Sequence, residues 1–326
     1  MKKKGYRNPY QKRIYRGWVH FVLWQLGYYN DPYPIPDIPP NFQFPNPQEI
    51  VANDHPKVTW INHSSFLVEV ATKKFLVDPI WNKRCSPIPF FGPKRSHPAG
   101  IDLKKLPFIN YVIISHNHYD HLDRESVTQL NQLHKGVSWI VPKGVKKWFD
   151  KNISGSWVME LDWWESLTVE DPTNGEKVTF TGTPAQHFSG RGMLDKNKSL
   201  WMGCMVELFA TNNLIKRFYF AGDTGYNPYD FKKIGKKFSP IDLSLLPIGV
   251  YTPRKFMRPV HINPSEAVAI HNEVDSRLSV GGHFGTFRLS KESFLHPPYE
   301  LHKALKESGI SWENFRVLNP GQTINW

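Results

Sequence analysis

The sequence predicts an α/β chain in which sheets covered by helices form one compact body, led by a basic, aromatic, amphipathic arm. Three features point there: many short β-type runs, helical patterns interleaved among them, and a proline-rich break separating both from residues 1–30. Alternating strand and helix signals are the pattern of helix-covered sheets. No period of about 20 to 50 residues suggests a solenoid. At 326 residues the chain is long enough to bury a substantial core without disulfides.

The arm comes first. "MKKKGYRNPYQKRIYRGWVHFVLWQLGYYN" is basic and then aromatic, and Tyr15, Val19, Val22, Leu26 and Tyr29 recur at helical spacing. Arg16, His20 and Gln25 interrupt the apolar run, which is too short for a span needing about 20 apolar residues. The small-residue cleavage site of a secretory signal is also missing. Two readings stay open: a helix lying on an anionic membrane, or one packed on the body or on a second subunit as a homodimer. From Asn30 to His55 proline is so frequent that an extended surface path is expected. The expected division is therefore an arm over 1–55 and a catalytic body over 56–326.

The body then gives strand-like runs in order: "KVTWI", "SFLVEV", "KFLV", "YVIIS", "SWIVP", "KVTFTGT", "GCMVELF", "KRFYFAGD", "DLSLLPIG" and "RLSVGG". Helical patterns stand between them at "RESVTQLNQLHKG" and "PSEAVAIHNEV". The formal charge of +12 draws the chain toward phosphates, whether of nucleic acid or of an anionic membrane. Basic residues gather in the arm and no RNA-binding motif is evident, so a nucleic-acid partner is not expected. Cys85 and Cys204 are the two cysteines, in no C-x-x-C arrangement, which suits a reducing, cytoplasmic interior and two small buried side chains.

The chemistry is concentrated after "YVII", in "SHNHYDHLD" (115–123). His116 and His118 are two apart, so in an extended segment both rings point the same way and can share a metal. Asp120 and His121 follow where the chain must turn toward the helix beginning near Arg124, and can aim at a second ion. Imidazole and carboxylate are donors that zinc prefers, and iron or manganese accept them too. Four donors do not fill two metal shells. Further donors stand just past apolar runs with glycine nearby: His187 after "FTGTPAQ", Asp223 in "AGDTG" and His283 in "GGHFGT". Asp78, ending "FLVDP", is a candidate for orienting a ligand imidazole. Trp163 and Trp164 are expected to pack rather than touch substrate.

This pattern, H-x-H-x-D-H followed by His187, Asp223 and His283, resembles the metallo-β-lactamase superfamily. The resemblance implies an αββα four-layer sandwich with a dimetal site at one edge of the two sheets. "TWINHSSFLVEV", "DPIW", "CSPIPFFGPKR", "ELDWWE", "PAQHF", "FAGDTGY", "PIGVYTPRKFM" and "HFGTF" are similar to the N-acyl-phosphatidylethanolamine-hydrolysing phospholipase D branch, from about Lys57 to about Gly321. That branch implies two Zn2+ per chain. His116, His118 and His187 would hold one, Asp120, His121 and His283 the other, and Asp223 would bridge them. It further implies a phospholipid substrate cleaved to an N-acylethanolamine and phosphatidic acid, by attack of a metal-activated hydroxide on phosphorus.

The implied catalytic groups are Asp120, Asp223 and His261, with Tyr119 and His261 contacting the phosphodiester and His261 a candidate proton donor. Capping the helix after "RPVHINP" is the alternative task for His261. The expected location is peripheral to a membrane. Two departures concern the groove mouth: Pro89-Phe90 replaces a Gln-Tyr pair of the mammalian members, and Phe188 replaces a tryptophan. The alternatives are a hydrolase of the same fold acting on a soluble phosphodiester, nucleic acid or lactone, or a non-catalytic membrane-binding module.

Overall fold

The computed structural model describes residues 5–11, 37–45, 55–192, 194–210 and 212–326. Two seven-stranded sheets lie face to face. The first has the order β14-β1-β2-β3-β4-β5-β6, from β1 (Lys57–Asn62), β2 (Ser65–Val70), β3 (Lys73–Val77), β4 (Tyr111–Ile113), β5 (Ser138–Pro142), β6 (Trp157–Leu161) and β14 (Thr323–Asn325). The second runs β13-β12-β11-β10-β9-β8-β7, from β7 (Ser166–Glu170), β8 (Glu176–Thr183), β9 (Gly203–Ala210), β10 (Asn213–Phe220), β11 (Ile241–Pro247), β12 (Ser276–Gly282) and β13 (Phe315–Arg316). Each sheet is antiparallel on one side and parallel on the other, the switch falling at β3–β4 and at β10–β11.

Strand alternation sorts the side chains into layers. Phe66, Val68, Phe75, Val77 and Ile113 point between the sheets and meet Phe180, Val206, Phe218 and Leu245 from the other side. Leu67, Leu76, Val112 and Ile114 point outward, under α1 (Arg124–Leu133) and α2 (Lys146–Asn152), where Val127, Leu130, Trp139 and Phe149 are fully buried. The outer face of the second sheet is covered by α3 (Asp230–Phe238), α4 (Pro264–Glu273) and α5 (His296–Ser308), through Phe231, Ile234, Ile270 and Leu301. Each such side chain contributes roughly 1.5–3 kcal/mol of burial. The result is the expected four-layer αββα sandwich.

Two stretches of the segment read as an arm are described, and both lie on the body. Residues 5–11 run beside His187, and Phe42 packs edge-on against Tyr299 of α5 with ring centroids 4.9 Å apart. The helix expected over Tyr15–Tyr29 lies outside the described residues. Among the described residues no helix is long and apolar enough to cross a membrane. Cys85 and Cys204 are free and buried. Trp163 and Trp164 pack on the core, and the Trp163 indole N–H donates to the Trp201 carbonyl at 2.7 Å.

Candidate metal centre

The centre forms at one end of the sandwich, where strands of both sheets stop and the chain turns. After β4 the chain continues extended through His116 and then folds over, with the N–H groups of His121 and Leu122 both reaching the His118 carbonyl. α1 starts behind this turn because Asp123 caps it, accepting from the Ser126 N–H at 3.0 Å. The second sheet supplies Asp223 three residues past β10 and His283 immediately past β12. Gly222 has a φ of 60°, and a Cβ there would sit 2.6 Å from that of Ser115, so only glycine lets the Asp223 loop approach the motif.

Three donors converge on one side: His116 Nε2 and His187 Nε2 lie 2.8 and 3.3 Å from His118 Nδ1. On the other, Asp120 Oδ2 lies 3.3 Å from His121 Nε2 and 3.5 Å from His283 Nε2. Asp223 Oδ2 stands between them, 3.2 Å from His121 Nε2, 3.1 Å from His283 Nε2, 3.8 Å from His187 Nε2 and 3.9 Å from His116 Nε2. All seven residues of the expected ligand set are thus gathered in one place.

The donors are oriented from behind. Asp78, fully buried at the end of β3, accepts from His121 Nδ1 at 2.6 Å and from the Ser115 N–H and hydroxyl at 2.7 and 2.5 Å. That fixes the His121 tautomer with its Nε2 lone pair toward the centre. The Val260 carbonyl, 2.9 Å from His187 Nδ1, does the same for His187. His63, at the β1–β2 hairpin tip, meets Asp120 Oδ2 through Nε2 at 3.1 Å. The Arg191 guanidinium ties the motif's backbone, donating to the carbonyls of Asn117 and Leu122 at 2.9 and 2.7 Å.

These residues fit divalent cations. His121 Nε2, His283 Nε2 and Asp223 Oδ1 are buried without a hydrogen-bond partner, a costly state that ligation relieves. Charge agrees. Burial pushes His118 down to about 3 and His187 to about 4, and holds His116 well below its ordinary value, so these rings are neutral donors. Burial also opposes charge on His121 and His283. Asp223 and Asp120 nevertheless win, holding His121 well above its usual range and His283 up at about 9. Burial likewise works against the carboxylates, yet His121 and its neighbours keep Asp120 and Asp223 well below the usual range. The site is built around carboxylate charge that asks for cations in return.

The remaining expected residues divide. His261 Nδ1 is 3.9 Å from Asp223 Oδ2, and burial holds the ring well below its ordinary value. Capping falls instead to Asn263, which forms a full capping box with Glu266. Tyr119 is tied to the neighbouring loop: its hydroxyl donates to the Arg191 carbonyl at 2.9 Å, and its ring lies 3.9 Å from the Arg191 guanidinium carbon. At the mouth, the Phe188 ring meets His118 edge-on at 4.6 Å, and Phe90 is 83 % exposed. His63, Ser115, Arg191 and Asn8 escape a motif reading. His63 stands inside "INHSSFLVEV" yet is far from the ligand motif in sequence, and Asn8 has no local signal at all.

The chain belongs to the β-lactamase superfamily, whose domain matches residues 73–284, and with its helix-covered double sheet and the histidine–carboxylate cluster at the strand ends it is a metal-dependent hydrolase. It is 41% identical over 254 residues to N-acyl-phosphatidylethanolamine-hydrolyzing phospholipase D 1 of Caenorhabditis elegans, covering 77% of this chain and 69% of that one. It is 37% identical to the mitochondrial N-acyl-phosphatidylethanolamine-hydrolyzing phospholipase D of Saccharomyces cerevisiae, over 77% of this chain and 52% of the yeast protein. Igni18, a metallo hydrolase of the archaeon Ignicoccus hospitalis, shares the fold at a TM-score of 0.60 and 21% identity, covering 83% of this chain and 98% of its own.

Proposed function

We propose that this hydrolase cleaves N-acyl-phosphatidylethanolamine in the phospholipase D sense, releasing an N-acylethanolamine and phosphatidic acid. The similarity to two relatives named for that reaction, each over 77% of this chain, is the observation that supports it. In this reading His116, His118 and His187 would hold one Zn2+ and Asp120, His121 and His283 another, with Asp223 available to either. Bound there, the ions would supply Lewis acidity toward a phosphoryl oxygen and lower the pKa of water.

The chain's own groups do the rest. Asp78 and the Val260 carbonyl keep the lone pairs of His121 and His187 turned inward. His261, kept neutral by burial, donates an N–H toward the phosphodiester. An anionic phosphate beside the ring favours its protonated form, from which a proton can pass to the departing alcohol oxygen. The basic aromatic segment 1–30 would hold the protein peripherally on an anionic bilayer, with a homodimer contact the other use for it. Zinc-loaded protein incubated with vesicles containing N-acyl-phosphatidylethanolamine is expected to release acylethanolamine. No product from folded, metal-loaded protein would refute the assignment.

A further inference from the structure

Asn8 is 179 positions from His187 in sequence, yet its carboxamide grips that residue's backbone from both sides. Nδ2 donates to the His187 carbonyl at 2.8 Å, and Oδ1 accepts from the His187 N–H at 3.2 Å. Oδ1 also accepts from the Trp201 indole N–H at 3.1 Å, and Nδ2 donates to Gln11 at 3.2 Å. The clasp is held at both ends of the 5–11 strap. Tyr6 exchanges hydrogen bonds with Asn197, N–H to carbonyl at 2.9 Å and side-chain amide to Tyr6 carbonyl at 3.3 Å. Gln11 donates to the Pro259 carbonyl; the exposed Tyr10 beside it lies tilted against Tyr229 with ring centroids 4.5 Å apart, and its hydroxyl accepts from Lys233 at 2.7 Å at the surface, outside the clasp.

His187 needs this support. It lies beyond the end of β8, so no ladder partner fixes its peptide groups, and it is 1% exposed. The bond from Nδ1 to the Val260 carbonyl fixes ring rotation only relative to a backbone that is itself fixed. Without Asn8 a buried N–H and a buried carbonyl lose their partner, and the loop must move to recover them.

We infer that Asn8 is a positioning residue for the metal centre: by clasping the His187 peptide it sets where His187 Nε2 stands relative to His116 and His118. The segment preceding the catalytic body is therefore part of the site's framework. This rests on the reading of His187 as a metal donor.

The test uses the full chain with Asn8→Ala, Asn8→Asp and, on the same strap but away from the centre, Tyr10→Phe. Each is loaded with Zn2+, titrated with a competing chelator, and assayed on a soluble phosphodiester. Asn8→Ala is expected to lose about ten- to a hundredfold in affinity for one bound ion. Its kcat should fall while KM changes by less than about threefold. Asn8→Asp keeps acceptance from the His187 and Trp201 N–H groups but sets a carboxylate oxygen against the His187 carbonyl, so it should lose zinc affinity and kcat as Asn8→Ala does; it also carries the test if the alanine variant fails to fold. Tyr10→Phe should match wild type. Wild-type zinc affinity and kcat in Asn8→Ala, with or without a lowered thermal midpoint, would overturn the inference, as would equal losses in Tyr10→Phe. Wild-type protein that binds no ion would overturn the metal-centre reading beneath it.

Discussion

Asp78→Asn tests the orientation of the centre most directly, because it removes charge while keeping shape. Asp78 receives three donors: the Ser115 N–H, the Ser115 hydroxyl and His121 Nδ1. An asparagine oxygen can keep the Ser115 N–H, and the hydroxyl can rotate to accept from the new amide. His121 has no such freedom. Facing an NH2 group, its Nδ1 must become the acceptor, which moves the proton to Nε2 and takes the lone pair away from the centre. The loss is one hydrogen bond to a charged group, about 1.5–3 kcal/mol. At about 1.4 kcal/mol per factor of ten this is a roughly 10- to 100-fold weaker ion, the range found when partners behind a ligand are removed. Stripped of metal, the protein should lose stability as well, because Asp78 is one of the carboxylates that hold His121 well above its usual range. Competition with a chelator gives the affinity, and a melt of the stripped protein gives the stability. Unchanged zinc affinity in a folded Asp78→Asn protein would refute the tautomer reasoning.

His271 offers a pH prediction remote from the metal. Burial lowers its pKa to about 4, and it hydrogen-bonds Ser279 at 2.8 Å. The unfolded chain takes up a proton below its ordinary value of 6.5, so this stability is complete above that pH and is lost as pH falls toward 4. Between pH 7 and 4.5 wild type should lose about 2.5 kcal/mol more than His271→Gln in denaturant titrations, and equal losses would contradict this. Asn263→Ala removes the N-cap of α4 and should lower stability by about 1 kcal/mol, with a change under a few tenths in the same titration counting against the capping assignment. Adding Zn2+ to stripped protein should raise the thermal midpoint, by about 2.7 kcal/mol of stability at a hundred times Kd. A midpoint indifferent to zinc would mean that the gathered donors bind no ion.

The strands found by sequence are those with a strong apolar signature. Val112, Ile113 and Ile114 are buried on both faces, and Phe66, Leu67 and Val68 alternate between two apolar layers, so their runs stand out. β6 and β7 were not distinguishable from loops because they lie at sheet edges: Trp157 is exposed, and Ser166–Glu170 alternates exposed with half-buried positions. α3 is masked by its own packing. Gly235 reads as a breaker within "DFKKIGKKF", but a Cβ there would lie 2.0 Å from the Glu273 carbonyl, so glycine is what lets α3 rest on α4. "RESVTQLNQL" and "PSEAVAIHNE" were legible because capping residues and apolar spacing agree, with Asp123 and Asn263 placed as caps.

The site follows the same division. The candidate donors are readable because each sits where a strand ends, and strand ends are marked in sequence by apolar runs that stop at glycine or a turn. The groups that aim those donors carry no such mark, since what they recognise is a backbone carbonyl or a ring nitrogen brought close only by folding. Asp78 is the exception, and topology explains it. β3 and β10 occupy matching places in the two sheets, each the last antiparallel strand before the parallel set. Each is followed by an aspartate within three residues, Asp78 and Asp223. One of these stands behind His121 and the other in front of it, on Nδ1 and Nε2 respectively. His121 is thus held between equivalent ends of the two sheets, and a shift of one sheet against the other would move a carboxylate on one side of that ring relative to the other. Packing of the two inner faces therefore sets the donor geometry as directly as the motif does.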